Sequence, residues 1–302
     1  MNDYRDRIQQ VERYIESHMD QKLSLDRLAE VSHFSKYHFS RVFASVAGLT
    51  PFAYIAQKRL ERAAAYLRET DKSVLEISLL CGFETASNFN AAFKKHFGQT
   101  PTEMRSQTQQ DRNISLSLRN AQEAPTPPAR YDRTVNSLLR RVWQMQVTIE
   151  ELPQMEVAYV RHVGSYLETY RAWEQLGAWA AEQGLFPPEQ SFIGISLDDP
   201  GVTEEEACRY DTCVTVPGTL SHEDAPPEVQ FKELPGGLYA KFCFYDTLDK
   251  FALFYQNIFG GWLPDSDYDP DDRHCLEFAM NDPARDPEGK AKVDLYIPIK
   301  KR

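Results

Sequence analysis

The sequence contains no uninterrupted apolar run of the roughly 18 residues that a membrane-spanning helix requires. Its opening stretch, MNDYRDRIQQ, also lacks the apolar segment of a secretory signal. These two absences predict a cytoplasmic protein with no membrane partner. Hydrophobic residues nevertheless make up 42% of the 302 residues. That fraction is enough for sizeable cores, and the length suggests about two domains.

Cysteine and metal-binding patterns are also sparse. The five cysteines are an odd number, are widely scattered and form no CxxC pair: Cys81, Cys208, Cys213, Cys243 and Cys275. They indicate reduced thiols rather than a disulfide framework or a zinc site. The acidic stretch from Pro264 to Asp272 lacks the glycine and the terminal glutamate of an EF-hand loop, so we expect a solvated loop there. No metal, no cofactor and no catalytic residue is predicted.

The net charge of −11 conceals two halves of opposite sign. Residues 1–146 hold 21 Lys and Arg against 16 Asp and Glu, whereas residues 147–302 hold 13 against 29. A mildly basic half is compatible with a polyanionic partner, and a strongly acidic half is not. The two halves are therefore expected to bind different partners.

The basic half contains an internal repeat. Four residues recur forty-nine positions later, Ser24, Leu25, Leu28 and Val31 corresponding to Ser73, Val74, Ile77 and Leu80. The motif GLTP at Gly48 then recurs as GQTP at Gly98. Each copy predicts a serine-capped helix, a tight turn and a second helix that ends at glycine, which is a helix-turn-helix unit. A continuous helix over Pro51 to Arg68 is expected to join the two units.

The second helix of the first unit has a polar face that suits DNA. In SKYHFSRVF the apolar positions mark a buried face, and the opposite face carries Tyr37, Ser40 and Arg41. A guanidinium can donate two parallel hydrogen bonds to guanine in the major groove, so we expect Arg41 to contact a base. Lys36, near the helix start, is better placed for a phosphate. The alternative is a helix face that is merely solvated.

The second unit is not equivalent to the first. Ser87, Asn90 and Ala91 occupy the positions that match Tyr37, Ser40 and Arg41. Because Ala91 donates no side-chain hydrogen bond, sequence recognition by this helix would depend on Ser87, Asn90 and DNA shape. The residues expected to contact the DNA backbone here are Asn88, Lys94 and Lys95. We therefore expect the first unit to recognise sequence and the second mainly to anchor the protein.

Residues 8–105 resemble the DNA-binding domain of the AraC/XylS family of bacterial regulators. The stretch ISLLCGFETASNFNAAFKKHFGQTPTEMR carries the resemblance, although many family members have arginine where this chain has Ala91. The resemblance implies an all-α domain over residues 1–107 with two helix-turn-helix units that bind double-stranded promoter DNA. RNA polymerase is a further candidate partner. A linker is expected over residues 108–145, which are polar and proline-rich.

The acidic half is also duplicated. VTIEELP at Val147 recurs as VQFKELP at Val229. Each copy predicts two strands, a helix and two further strands, with the helices over Tyr166 to Gln183 and over Leu248 to Phe259. Two such strand-helix-strand-strand halves can pair about a pseudo-twofold axis and leave a groove where they meet. The predicted fold class is thus a multidomain chain, all-α at the front and α+β at the back.

Residues 147–301 resemble the GyrI-like small-molecule-binding domain. The segments RYDTCVTVP, LPGGLYA and DLYIPIKK carry this resemblance. It implies an effector-binding domain over residues 146–302, and the pairing with an AraC-type domain is similar to the architecture of Rob-like regulators. In multidrug-sensing regulators the same domain is paired with other DNA-binding domains. The implied partner is a small cationic or lipophilic effector.

Glu277 marks the predicted ligand site. It lies in HCLEFAM, a strand that is apolar on both sides, and its counterpart in the first half is Gly194. A buried carboxylate needs a cation, a donor or a proton. In related domains such a glutamate lies beneath an aromatic groove for lipophilic cations, and the alternative is a structural pair with an arginine or tyrosine. The candidate groove residues are Tyr166, Tyr170, Trp173, Phe244, Tyr245 and Trp262, while Tyr210 and Asp211 are expected to orient their strand.

The combined pattern predicts a transcription regulator that binds DNA with its front half and senses a small molecule with its back half. It predicts no enzymatic activity. Two alternatives stay open. The back half could be a small-molecule hydrolase that uses Glu277 with Tyr210 or Tyr170, or a module that docks another protein.

Overall fold

The computed structural model describes residues 4–108, 146–200, 203–222 and 225–302, except for the side chains of Lys36 and Tyr37. The predicted linker lies outside the described residues apart from residue 108. The described chain forms a helical N-terminal part and a C-terminal part built on one large β-sheet. This agrees with the predicted division into an all-α and an α+β part.

Helices make up the N-terminal part. They are α1 (Tyr4–Ser17), α2 (Leu25–Ser32), α3 (Lys36–Ala47), α4 (Pro51–Glu69), α5 (Val74–Leu80), α6 (Ala86–Phe97) and α7 (101–108). Helices α2 and α3 form the first predicted helix-turn-helix unit, and α5 and α6 form the second. Helix α4 is the predicted connector. In the described part of the chain no single helix is long and apolar enough to span a membrane; His38–Ala47 and Pro51–Glu69 meet that requirement only as a pair bent by 49°.

The repeat is visible in how the helices begin and end. The side-chain oxygens of Ser24 and Ser73 accept hydrogen bonds from the backbone N–H groups of Arg27 and Glu76 at the starts of α2 and α5. Helices α3 and α6 both end at glycines in the left-handed conformation, Gly48 and Gly98. These caps satisfy backbone groups that have no partner within the helix. The serine and glycine positions therefore fix the helix boundaries in both units.

The C-terminal part contains nine described strands. They are β1 (Val147–Leu152), β2 (Met155–Val163), β3 (Phe192–Ser196), β4 (Arg209–Thr215), β5 (Gln230–Leu234), β6 (Gly237–Asp246), β7 (Tyr268–Pro270), β8 (Leu276–Ala279) and β9 (Ala291–Lys301). Their order is β1-β6-β9-β8-β3-β4-β2-β5, with β7 on β9, and the pairings are antiparallel. The first strand of each sequence repeat pairs with the second strand of the other repeat, which ties the two repeats together.

Two helices pack against this sheet. Helix α8 (Tyr170–Glu182) contacts β2 and β4, and helix α9 (Phe251–Asn257) contacts β6. Each follows a short 3-10 turn, at 166–168 and 248–250, where the sequence predicted the helices to begin. After α9 the chain continues as a π-helical segment, Ile258–Trp262. Strands β3 and β8 lie at the middle of the sheet order, where the two repeats meet.

The first helix-turn-helix unit and the C-terminal part share one hydrophobic core. Tyr4, Phe39 and Phe43 from α1 and α3 belong to the same buried cluster as Phe254 and Phe259 from α9 and the π-helical segment. The second unit has its own cluster, built by α4, α5 and α6 around Phe89 and Phe93. Burial of apolar area is the main favourable term in such packing. The first unit is therefore docked on the C-terminal part by a continuous apolar core.

Candidate functional site

Glu277 lies at the centre of the C-terminal sheet. It is on β8, directly opposite Gly194 on β3, so the two residues that the sequence repeat made equivalent are neighbours across the strand pair. The Glu277 side chain is buried, with 7% of its surface exposed. A carboxylate at this depth costs several kcal/mol unless donors or a cation compensate for the lost water. Its surroundings therefore decide what the site does.

Three hydroxyl groups converge on Glu277. Tyr210 donates to Oε2 at 2.9 Å, Tyr255 donates to Oε1 at 2.9 Å, and Ser196 donates to Oε1 at 2.8 Å. Burial, followed by the neighbouring carboxylate, raises the pKa of both tyrosines well above the ordinary value for a phenol. They consequently remain protonated and serve as donors. This constellation stabilises a buried negative charge.

Gly194 provides the space for this arrangement. A Cβ atom at this position would lie 1.8 Å from the Tyr210 hydroxyl oxygen and 3.0 Å from Oε2 of Glu277. No side chain can therefore replace the glycine without moving the tyrosine off the glutamate. Two predicted groove residues surround the same tyrosine. The Tyr166 ring packs edge-on at 5.6 Å from it and the Trp173 ring at 6.5 Å, measured between ring centroids.

A cation from the other domain completes the site. The guanidinium of Arg41, on α3, lies over the Tyr255 ring at 4.9 Å from the centroid, and its Nη1 is 4.0 Å from Sγ of Cys275. Burial alone would lower the pKa of Arg41. Cys275, Tyr255, Asp199 and Glu277 outweigh that effect and raise its pKa above the ordinary value. The cation thus contacts the ring whose hydroxyl holds Glu277.

Further contacts hold α3 on the C-terminal part. The Ser40 hydroxyl donates to the Asp199 carboxylate. Nε2 of His38 donates to the Arg273 carbonyl oxygen at 3.1 Å, and the His38 ring stacks on Phe259 at a centroid distance of 5.6 Å. Burial, with Arg41 as the next cause, lowers the pKa of His38 to about 3. His38 is thus a neutral structural residue of the interface.

A cavity of about 410 Å³ opens beside this cluster, between the two domains. Its lining includes Arg41 and Ser40 from α3 and Ser196, Asp198, Asp199 and Cys275 from the C-terminal part. Ser196 connects the cavity to Glu277, because its hydroxyl donates to that carboxylate. Glu277 does not line the cavity itself, and the Ser196 hydroxyl is the contact between its carboxylate and the cavity wall. Among the described residues, no three His, Cys, Asp or Glu side chains are grouped as metal ligands would be.

The other predicted groove residues lie away from Glu277. Phe244 is 1% exposed and packs against the rings of Phe251 and Phe254 in the core. Tyr245, the next residue along β6, points to the opposite side, where its hydroxyl donates to Asp286. Trp262 packs on Phe242 and Tyr268. Tyr170, half exposed, accepts a hydrogen bond from its neighbour Arg171. Of the six aromatics, Tyr166 and Trp173 pack on Tyr210, one of the two tyrosines that donate to Glu277.

The structure also brings Tyr210, Tyr255 and Ser196 to the site. None of the three was among the predicted ligand-binding residues. Tyr210 was expected to orient its strand, and the hydrolase alternative paired it with Glu277. Asp211 is fully buried and bound by Arg161 at 2.7 Å and by Lys232. Alternation along β4 puts Tyr210 on the Glu277 side and Asp211 on the other. That same alternation, counted from Glu277 through the strand pairing, could have indicated Tyr210.

The two predicted DNA-recognition helices are in different environments. On α6 the predicted residues are exposed: Ser87, Asn88, Asn90, Lys94 and Lys95. On α3, Ser40 is 2% exposed and Arg41 is partly buried, both against the C-terminal part. The side chains of Lys36 and Tyr37 lie outside the described residues. In this state Ser40 and Arg41 of α3 are covered, whereas the predicted contact residues of α6 are accessible.

Comparisons with known proteins match a separate family model to each of the two parts of the chain. Residues 145–300 match the model of the GyrI-like small molecule binding domain, and residues 28–107 match a helix-turn-helix domain model. The transcriptional regulator Rob of Salmonella typhimurium is 43% identical over 88 residues, which are 29% of this chain and 30% of Rob. The protein YosT from the SPbeta prophage of Bacillus subtilis is 38% identical over 119 residues, which are 38% of this chain and 76% of YosT.

A solved structure is also similar to part of the chain. An AraC-type regulator from Chromobacterium violaceum is 31% identical, covers 34% of this chain and 91% of its own, and has a TM-score of 0.33. The Rob match is confined to less than a third of that relative's length.

Proposed function

The chain belongs to the family of GyrI-like small-molecule-binding domains and carries an AraC-type helix-turn-helix domain, and from this premise we propose that it is a transcription regulator controlled by a small organic cation. The N-terminal domain binds promoter DNA. The C-terminal domain binds the effector beside Glu277. The output is a change in DNA binding or in the recruitment of RNA polymerase.

One observation supports the charge of the effector above all. Glu277 is buried, holds three hydroxyl donors and lies beside a ring that already carries a guanidinium. A tyrosine face that already holds one organic cation, and whose hydroxyl contacts a buried carboxylate, has the chemistry to bind another cation. Tyr166 and Trp173 supply further aromatic surface around Tyr210. The adjoining cavity, at about 410 Å³, has room for a small aromatic cation.

We propose that the two halves of the C-terminal domain are related by a pseudo-twofold axis between β3 and β8. The strand order supports this, because each strand of one repeat has its counterpart at the mirrored place in the order. We likewise propose the domain limits 1–107 and 146–302, joined by a linker over 108–145. The matches over 28–107 and 145–300 support these limits.

On the DNA side we propose unequal roles for the two units. Arg41 and Ser40, with Tyr37 and Lys36, contact one groove when α3 is free. Helix α6 anchors the protein through Lys94, Lys95 and Asn88, with Ser87 and Asn90 facing bases. The exposure of this α6 face supports the assignment.

Calorimetric titration of the full chain tests the effector site. Phenylguanidinium is the probe, and phenylurea is its neutral analogue. We expect the cation to bind and the urea not to, and Glu277→Gln to weaken cation binding by roughly 10–100-fold. Glu233→Gln, an exposed glutamate on β5, is the matched control and should bind as the unchanged protein does. Equal affinity for both probes, or full affinity in Glu277→Gln, would refute Glu277 as the charge anchor.

Hydrolysis is the main alternative. A general base must offer a lone pair to water. Three hydroxyl hydrogen bonds already occupy most of the lone-pair sites of the Glu277 carboxylate, which disfavours this role. Turnover of a phenyl ester that disappears in Glu277→Gln would support the hydrolase. Docking of a protein partner is the second alternative, and absence of binding by every organic cation tested would favour it.

A further inference from the structure

Helix α3 presents one face to two different partners. The face that the sequence predicts for the DNA groove carries Ser40 and Arg41, and these two residues contact Asp199 and Tyr255 of the C-terminal domain. A side chain held in that interface cannot reach a base edge in the major groove at the same time. Docking of α3 and base recognition by α3 are therefore mutually exclusive.

Arg41 places a positive charge beside the tyrosine that donates to Glu277. Glu277 retains three hydroxyl donors from its own domain, but no described cation of that domain contacts its carboxylate within ion-pair distance. The nearest cationic group that the structure describes on the Tyr255 face is the Arg41 guanidinium. When α3 undocks, this positive charge leaves and the cavity beside Ser196 and Cys275 becomes larger.

We propose that Arg41 is an internal substitute for the cationic group of the effector, so that effector binding displaces α3 and releases it for DNA. The proposal rests on the proposed function. The effector and Arg41 compete for the Tyr255 ring and the charge of Glu277. The effector is consequently expected to carry a group comparable to a guanidinium: planar, singly charged and attached to an apolar body.

Competition fixes the sign of the effects. A ligand shifts a conformational equilibrium only through its different affinity for the two states. The effector binds the undocked state, so its apparent affinity is reduced by the fraction of molecules in which Arg41 fills the site. Removing Arg41 should therefore strengthen cation binding. Removal of a pocket residue that contacted the effector directly would instead weaken cation binding.

Two adjacent glycines allow the docking to be tested without altering either the pocket or the DNA face. A Cβ atom at Gly260 would lie 2.8 Å from Cβ of Ser45 and 3.1 Å from its carbonyl oxygen, both on α3. A Cβ atom at Gly261 would meet nothing within 4 Å. Gly260→Ala therefore presses against docked α3, and Gly261→Ala makes the same chemical change in the same segment without that contact.

The experiment uses the full chain, phenylguanidinium, phenylurea and a duplex selected from random DNA by the unchanged protein. We expect phenylguanidinium to raise affinity for this duplex by 5–150-fold, the usual range of allosteric coupling, and phenylurea to leave it unchanged. Gly260→Ala should bind the duplex more tightly without the cation and respond less to it. Gly261→Ala should behave as the unchanged protein does.

Calorimetry on Arg41→Gln provides the second measurement, since this variant also changes the DNA face. We expect it to bind phenylguanidinium at least several-fold more tightly than the unchanged chain. Weaker or equal binding would overturn the proposal, as would equal DNA affinities of Gly260→Ala and Gly261→Ala. If the unchanged chain bound neither the cation nor a specific duplex, the proposed function would fail as well. Binding of both without coupling would overturn this proposal alone.

Discussion

Glu277 and its neighbours show how one buried charge is arranged at the level of single residues. The carboxylate accepts from Tyr210, Tyr255 and Ser196, and Gly194 leaves the space that the Tyr210 hydroxyl occupies. Each hydrogen bond to a charged group contributes about 1.5–3 kcal/mol, and loss of one leaves a buried charge poorly compensated. The cluster is therefore sensitive to small changes of volume.

Gly194→Ala tests this packing. The added methyl group would displace the Tyr210 hydroxyl from Glu277, so we expect a loss of about 1–3 kcal/mol of stability and weaker cation binding. Gly177→Ala, on α8, has open space at Cβ and is the control. Chemical denaturation and calorimetric titration measure the two effects. Unchanged cation binding in Gly194→Ala would show that Tyr210 is dispensable for the site.

His38 predicts a pH dependence of the docked state. Its folded pKa is about 3 because of burial first and Arg41 second, whereas an unfolded histidine has a pKa near 6.5. The unfolded chain thus binds more protons between these values, so stability is complete above pH 6.5 and is lost progressively as pH falls toward 3. Within the part of the chain that the structure describes, the buried Nδ1 of His38 has no hydrogen-bond partner, so protonation would leave a buried N–H group unsatisfied.

The test compares His38→Gln with His96→Gln, an exposed histidine on α6. Denaturation between pH 7 and pH 4.5 should show a shallower loss of stability in His38→Gln, by more than about 1 kcal/mol over the range. His96→Gln should retain the original slope. Parallel slopes in all three proteins would mean that other groups, such as the ion-paired Asp211, account for the acid response.

At the level of elements, the repeat in the sequence was sufficient to predict the two helix-turn-helix units. Serine caps, glycine stops and 3.6-residue periodicity are local features, and α2, α3, α5 and α6 follow them. The burial of Glu277 was likewise expected, because its strand is apolar on both sides. What could not be predicted is which partner covers a polar helix face. The residues Ser40 and Arg41 suit both a DNA groove and the acidic C-terminal part, and periodicity does not distinguish the two.

The aromatic residues illustrate the same limit. The sequence predicted both Phe244 and Tyr245 as groove residues. In the structure Phe244 lies in the core, whereas Tyr245 faces solvent. Tyr255 was not selected because an apolar helix needs buried rings, and its hydroxyl contact depends on a strand twenty-two residues away. Contacts between distant elements are set by tertiary packing. Local patterns therefore predicted the helices and strands and the buried Glu277, but only some of the aromatic residues that lie around it.

The exposed lysines of helix α6 are expected to contribute to DNA affinity without regard to base sequence. Lys94 is exposed in its last turn, where it suits a phosphate contact. Lys94→Ala should weaken binding to all duplexes alike and reduce the slope of log affinity against log salt by about one. Glu84→Ala, an exposed residue just before α6, controls for a change of similar size outside the predicted contact set. A changed base preference in Lys94→Ala would contradict the anchoring role of this helix.

At the level of the whole molecule, the shared core joins a DNA-binding unit to an effector domain. Besides the apolar contacts, Arg7 of α1 pairs with Asp269 at 3.2 Å, and the Tyr4 hydroxyl donates to the Tyr268 carbonyl. The second helix-turn-helix unit has its own core and keeps its polar face accessible. The architecture thus supports a state in which one recognition helix is available and the other is held by the sensor.

Hydrogen–deuterium exchange of the full chain, with and without saturating phenylguanidinium, tests the central claim most directly. If the cation displaces Arg41, amides of α3 and of the facing segment Ile258–Trp262 should exchange faster when it is bound, while those of α6 stay unchanged. Phenylurea should have no effect. Bound cation with unchanged or slower exchange in α3 would show that effector and docked helix coexist, which contradicts the account.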